Sequence, residues 1–173
     1  MTDLKRFIRD VPDFPKQGIT FRDITPLLTH GAAWKETVNS LADRYRDQVD
    51  IVLGIESRGF LIGAAVAYTL GCGVAVARKP GKLPAATFNA SYALEYGTDT
   101  LEIHQDAFAP GNRVLVVDDL LATGGTAEAA IRLVRQLRGE VIAAAFIIEL
   151  TFLPGRQRLA PHEVFSLIQY DSE

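Results

Sequence analysis

Five stretches of the chain are apolar at nearly every position: Ile51 to Ile55, Val74 to Ala77, Val114 to Val117, Val141 to Ile148 and Val164 to Ile168. Runs of this kind, rich in β-branched residues, suit strands of a parallel sheet buried on both faces. Between them the apolar residues fall at helical spacing. Val38, Leu41 and Tyr45 follow Trp34 in this way, and the segments Phe60 to Leu70 and Ala127 to Leu137 read as further helices, the last ended by Gly139. Strands alternating with helices predict an α/β fold, with a central parallel sheet flanked by helices.

Five stretches depart from that rhythm. Ala86 to Tyr92 and Thr100 to His104, the latter alternating apolar with polar, predict an antiparallel ribbon beside the main sheet. Asp3 to Ile8 fits a short amphipathic helix. Val11 to Pro26 holds three prolines and a glycine, so regular structure is not expected there. Its Phe14, Ile19, Phe21 and Ile24 would be wasted on a solvated linker, and the stretch reads as an ordered loop, a hood laid over a pocket. Gly155 to Ala160 reads as a short polar turn.

Composition narrows the class. At 173 residues, 48% of them hydrophobic, the chain is expected to form one domain over 1–173 with a real core. A net charge of −3 argues against a general nucleic-acid binder. No apolar stretch reaches membrane-spanning length, and the opening MTDLKRFIRD lacks the apolar core of a secretory signal. The single cysteine, Cys72, excludes an intramolecular disulfide and fits a cytoplasmic protein. It reads as a buried thiol at a helix-to-strand turn.

The chemistry concentrates after the central strand. Asp118 and Asp119 follow Val117, then Leu120 and Leu121, then Ala122-Thr123-Gly124-Gly125-Thr126 and a helix. The sequence predicts a strand, an acidic turn, a glycine loop and a helix start. With no bulky side chain, the loop lets backbone N–H groups approach an anion closely at the positive end of the helix. A lysine after the last glycine, as in a P-loop, is missing, and so is GxGxxG. The two acids would repel phosphate but suit a vicinal diol, whose hydroxyls donate to carboxylates. The segment therefore reads as a holder for ribose 5-phosphate. Polar turns also follow two other strands, Glu56-Ser57-Arg58 and Arg78-Lys79, and ligands in such sheets gather at the carboxyl ends of strands.

Val114 to Thr126, VLVVDDLLATGGT, resembles the phosphoribosyl pyrophosphate signature of the type I phosphoribosyltransferases, in the form used by the members that act on adenine. FRDITPLL (Phe21 to Leu28) and LEYG (Leu94 to Gly97) resemble two further segments of that family. The resemblance implies a type I phosphoribosyltransferase fold, with residues 1–30 as arm and base-binding hood and 82–105 as a mobile catalytic ribbon. It implies transfer of phosphoribose from phosphoribosyl pyrophosphate to adenine, giving AMP and pyrophosphate in purine salvage.

Roles follow from the same resemblance. Ala122, Thr123, Gly124, Gly125 and Thr126 would hold the 5-phosphate, and Asp118 and Asp119 the ribose diol. Ser57, Arg58, Arg78, Lys79 and Lys82 would hold pyrophosphate, with a non-proline cis peptide at Glu56–Ser57. Phe21 would stack on adenine, Thr20 would meet its edge through main chain, Arg22 would contact the ring, and Leu120 would form the other wall. Glu95 would be the acid or base at the imidazole nitrogens. Tyr96 would close the site against water, which would otherwise intercept an oxocarbenium-like transition state. Mg²⁺ would enter with the substrate, reaching Asp118 and Asp119 through water, and His30, His104 and His162 show no ligand spacing. The arginine matching Arg78 reaches a neighbouring subunit in the family, which implies a homodimer. Two alternatives stand at this stage: a 6-oxopurine as the base, for which the Thr20 to Arg22 loop offers no lysine donor, and a non-catalytic sensor of phosphoribosyl pyrophosphate, for which no basic DNA-binding module is evident.

Overall fold

A computed structural model of the protein describes residues 3–93 and 97–172. A 3-10 turn, Leu4–Phe7, opens the chain, capped by the Asp3 side chain. Two short strands follow, β1 (Arg9–Val11) and β2 (Phe21–Asp23), then helices α1 (Thr25–Thr29) and α2 (Gly31–Arg44). The central part runs β3 (Ile51–Ile55), α3 (Arg58–Leu70), β4 (Gly73–Ala77), then a ribbon of β5 (Thr87–Ala93) and β6 (Thr98–His104). It ends with β7 (Arg113–Leu121), α4 (Gly125–Gln136), β8 (Glu140–Leu150), α5 (Gly155–Leu159) and β9 (Val164–Tyr170).

The main sheet has five parallel strands in the order β4-β3-β7-β8-β9. Both faces are covered, which is why the strands are apolar at successive positions. Val114 and Val116 of β7 face one core with α4 and the ribbon. Leu115 and Val117 face the other, with α1, α2 and α3. The ribbon pairs antiparallel, from Thr87 opposite His104 to Ala93 opposite Thr98. Cys72 is half-buried between α3 and β4, and burial pushes its thiol up.

The sheet order places the site. Counting only the parallel strands along the chain, it is 2-1-3-4-5, so successive connections leave in opposite directions from β3 and β7. A crevice opens between the carboxyl ends of two such strands. There α3 begins very close to β7: a Cβ added at Gly59 would lie 2.8 Å from the Val117 carbonyl oxygen and 3.0 Å from Asp118 Oδ1. Only a residue without a side chain permits that approach.

Several elements differ from their sequence-based expectation. The stretch Val11 to Pro26 is not wholly irregular, because Phe21–Asp23 pairs with Arg9–Val11 and Pro26 sits in the first turn of α1, where its missing N–H is harmless. The central strand does not stop at Val117. β8 lies alongside and continues the ladder through Asp118, Leu120 and Leu121, so the acids belong to the strand itself. The turn after α4 is made by Arg138, at φ 60°, with the Gly139 N–H closing onto the Val134 carbonyl at 2.9 Å. Gly155 to Ala160 contains a helix, α5, where a turn was expected.

Candidate active site

At the carboxyl ends of β3, β7 and β8 lies a cavity of about 1050 Å³. Lys16 to Arg22 line one side, Arg58, Asp119 and Leu120 its floor, and Ala122 and Thr123 its far end. Phe152, Leu153 and Arg158 complete the wall.

The hood is held rigidly. Arg22 is almost fully buried, pairs with Asp10 at 2.6 Å and lies over the Tyr170 ring at 4.1 Å. Its Nε is buried and has no hydrogen-bond partner among the described residues. Asp23 fixes the following turn, accepting from the Thr25 N–H at 2.9 Å and the Thr25 hydroxyl at 2.8 Å. Phe21 is left half-exposed between the Phe14 ring, edge-on at 5.3 Å, and the Arg58 guanidinium, also 5.3 Å away. A flat aromatic face in a cavity, opposite an aliphatic Leu120, suits a planar heterocycle.

On the floor, Arg58 Nε donates to the Asp119 carboxylate, which is only 5% exposed. Asp118 turns back to accept the Asp119 N–H at 2.9 Å and does not line the cavity. Burial, and then the Asp119 carboxylate beside it, push Asp118 well above the usual carboxylate range. Beyond the acids, Gly124 takes a left-handed φ of 81° and leads into α4, whose first N–H groups point back at the cavity end.

The three basic residues after β4 do not line the cavity. They surround Glu56, just before a cis peptide at Glu56–Ser57. Lys82 Nζ is paired with Glu56 Oε1, the Lys79 N–H donates to Oε2 at 2.7 Å, and Arg78 Nε is 3.6 Å from Oε2. Burial raises the Glu56 carboxyl, but these cations outweigh it and leave it below its ordinary value. The Lys79 ammonium pairs with Asp99 and the Tyr92 hydroxyl. Ser57 is exposed at the start of α3.

The cavity thus gathers Thr20, Phe21, Arg22, Arg58, Asp119, Leu120, Ala122 and Thr123, from three regions of the chain. Gly124, Gly125 and Thr126 follow directly at its end, and Ser57, Arg78, Lys79 and Lys82 sit on the adjoining rim. Glu95 and Tyr96 lie outside the described residues. Among the described residues no group of three or more His, Cys, Asp or Glu could hold a metal by itself, and no helix is long and apolar enough to cross a membrane.

Sequence reasoning missed Phe152, Leu153 and Arg158. β8 runs two residues further than its apolar pattern suggested, through Glu149 and Leu150, so its carboxyl end was misplaced. Glu149 is buried because it is fully engaged. It accepts from Arg156 at 2.8 and 2.5 Å and from the Ser166 hydroxyl at 2.5 Å. Burial pushes its carboxyl up, and these donors bring it below its ordinary value. The ion pair docks α5 against the phosphate-sized loop.

A model of the phosphoribosyl transferase domain matches residues 25–168. The chain belongs to the phosphoribosyltransferase family. An adenine phosphoribosyltransferase of Solibacter usitatus is 59% identical, the alignment spanning 99% of each chain. Among solved structures, the adenine phosphoribosyltransferase of Thermoanaerobacter pseudethanolicus superposes with a TM-score of 0.94 at 50% identity, covering 97% of this chain and 98% of that one. The Saccharomyces cerevisiae enzyme, solved with an imino-altritol bisphosphate and adenine, gives 0.90 at 39% identity, covering 95% and 96%.

Proposed function

We infer that this protein is an adenine phosphoribosyltransferase, joining adenine to phosphoribosyl pyrophosphate to form AMP and release pyrophosphate. The observation that carries the reading is one cavity lined at once by an aromatic face at Phe21, a carboxylate at Asp119 and the small-residue loop at Ala122 and Thr123. Those are the three chemistries of a purine nucleoside monophosphate, in the order base, sugar, phosphate.

In this reading the amides of residues 122–126 seat the 5-phosphate, and Asp119, steadied by Arg58, accepts from the ribose hydroxyls. Asp118 supports the pair from beneath, its carboxylate accepting the Asp119 N–H. The base enters between Phe21 and Leu120, with main-chain groups at Thr20 offered to its edge and Arg22 bracing the hood behind it. As the C1′–pyrophosphate bond breaks, the electron pair leaves on pyrophosphate. The adenine nitrogen supplies the pair for the new bond, and its proton passes to a base. Glu95 is proposed for that role, and Tyr96 for excluding water. Ser57 and Arg58, with Arg78, Lys79 and Lys82 behind them, are proposed to receive the developing negative charge.

Mg²⁺ brought in on the pyrophosphate would neutralise charge on the leaving group. The donor at hand fits this, since the Asp119 carboxylate that lines the cavity is a hard oxygen ligand that suits a hydrated ion. A homodimer is supported by an apolar strip: Leu61 and Tyr68, two turns apart on α3, are 56% and 90% exposed, beside Val74 on the edge strand β4 at 51%. A lone thiol fits residence in the cytoplasm. The decisive test is AMP formation from adenine, phosphoribosyl pyrophosphate and Mg²⁺, with hypoxanthine and guanine as comparators. Failure with adenine alongside turnover of a 6-oxopurine would refute the assignment of the base.

A further inference from the structure

The first turn of α4 carries a carboxylate of its own, Glu128. A phosphoryl group seated on the preceding loop would be repelled by it unless a cation intervened. Arg158 of α5 is placed to do so. Its Nε donates to Glu128 Oε2 at 2.8 Å, which fixes the plane of the guanidinium. Its two terminal nitrogens have no hydrogen-bond partner among the described residues. Nη1 stands 3.4 Å from the point a Cβ on Gly125 would occupy, and the side chain lines the cavity with Ala122 and Thr123. The helix that carries it is not free to drift, because Arg156 is locked to Glu149 and Gly155 abuts the Ala122 carbonyl. Two other arginines that line the cavity are committed elsewhere, Arg22 to Asp10 and Arg58 to Asp119.

We propose that Arg158 is a further phosphate-binding residue, its terminal N–H groups donating to the 5-phosphate of substrate and product while Glu128 holds it in plane. The proposal rests on the phosphoribosyl reading above. A guanidinium fork matches two phosphate oxygens, as an ammonium does not. The loop amides then supply shape, and Arg158 supplies the positive charge that a lysine supplies in a P-loop.

The test compares wild type, Arg158→Gln and Arg158→Lys by calorimetric titration with AMP and with adenine. Arg158→Gln is expected to weaken AMP roughly 10- to 100-fold, the range for losing charge-assisted hydrogen bonds, and to leave adenine unchanged. Arg158→Lys recovers part of the loss. AMP affinity in the wild type should rise as pH passes about 6, where the phosphate gains its second charge, and Arg158→Gln should flatten that rise. A loss equal on both sides of that pH, or equal for adenine, would show that Arg158 merely secures α5 and would overturn the inference. Unchanged AMP affinity in Arg158→Gln, in a protein whose wild type makes AMP from adenine, would also overturn it and leave the activity standing. A wild type that makes no AMP refutes the broader reading instead.

Discussion

Replacing Gly155 by alanine tests how tightly the phosphate end of the cavity is built. The added Cβ would sit 2.2 Å from the Ala122 carbonyl oxygen and 2.9 Å from two atoms of the Leu121 side chain. Ordinary contact begins near 3.4 Å, so the loop and α5 must part by about 1.2 Å. Neither side yields easily. Ala122 continues directly from β7, and α5 is tied to the sheet through Arg156 and the buried Glu149. Gly155 does not have a positive φ, so the cost is steric and not a matter of backbone conformation. Overpacking of this kind costs about 1–3 kcal/mol. For a domain of this size that is a fall in Tm of roughly 3–10 °C. Activity should suffer more, because a displacement of about 1 Å at a reacting site can cost on the order of 100-fold. Thermal melts and steady-state kinetics in phosphoribosyl pyrophosphate measure the two effects. Gly31→Ala is the control, since a Cβ there meets nothing within 4 Å. A Gly155→Ala protein with wild-type Tm and kcat/KM would refute the reasoning.

Three further predictions concern other parts of the molecule. Asp118 has a raised pKa, so the folded protein binds that proton more tightly than the unfolded chain does. Its contribution favours folding below the ordinary carboxylate range and is lost as pH rises through the folded-state value. Asp118→Asn should therefore raise Tm at neutral pH, with the gain shrinking in acid, while AMP formation slows; a lower Tm at pH 7 contradicts this. Phe21→Ala should raise KM for adenine about tenfold or more, as expected from losing a base-stacking face worth about 1–3 kcal/mol, with KM for phosphoribosyl pyrophosphate little changed. Tyr68→Glu places a charge in the apolar strip of α3 and should shift the protein toward monomer in analytical ultracentrifugation; an unaltered sedimentation profile would remove that strip from the interface.

The parts of the fold that were legible in the sequence are those governed by local pattern. Ile51–Ile55 was bounded to the residue because both faces of the strand are buried and its neighbours are polar or turn-forming. The ribbon was visible in the alternation of Thr100 to His104. What escaped was decided by partners distant in sequence. β7 runs on through two acids because β8 offers it a ladder. β2 exists because Arg9–Val11 returns to meet it, and α5 survives on a glutamate whose burial is paid for by Arg156. The candidate cavity was legible where one segment supplies several of its lining residues, as at Asp119, Leu120, Ala122 and Thr123. Arg158 was not, since an arginine in a short polar stretch looks the same whether it faces solvent or a phosphate. The expected convergence of basic residues on pyrophosphate also missed that Arg78, Lys79 and Lys82 already share a carboxylate, Glu56.

Tyr170 has a ring with two cations upon it, Lys5 at 4.1 Å and Arg22 at 4.1 Å, both from the opening segment of the chain. These residues, made before β9, therefore cannot settle until that strand follows them. During translation the hood must wait unattached while the sheet assembles, and the purine side of the cavity is walled only once β9 has emerged.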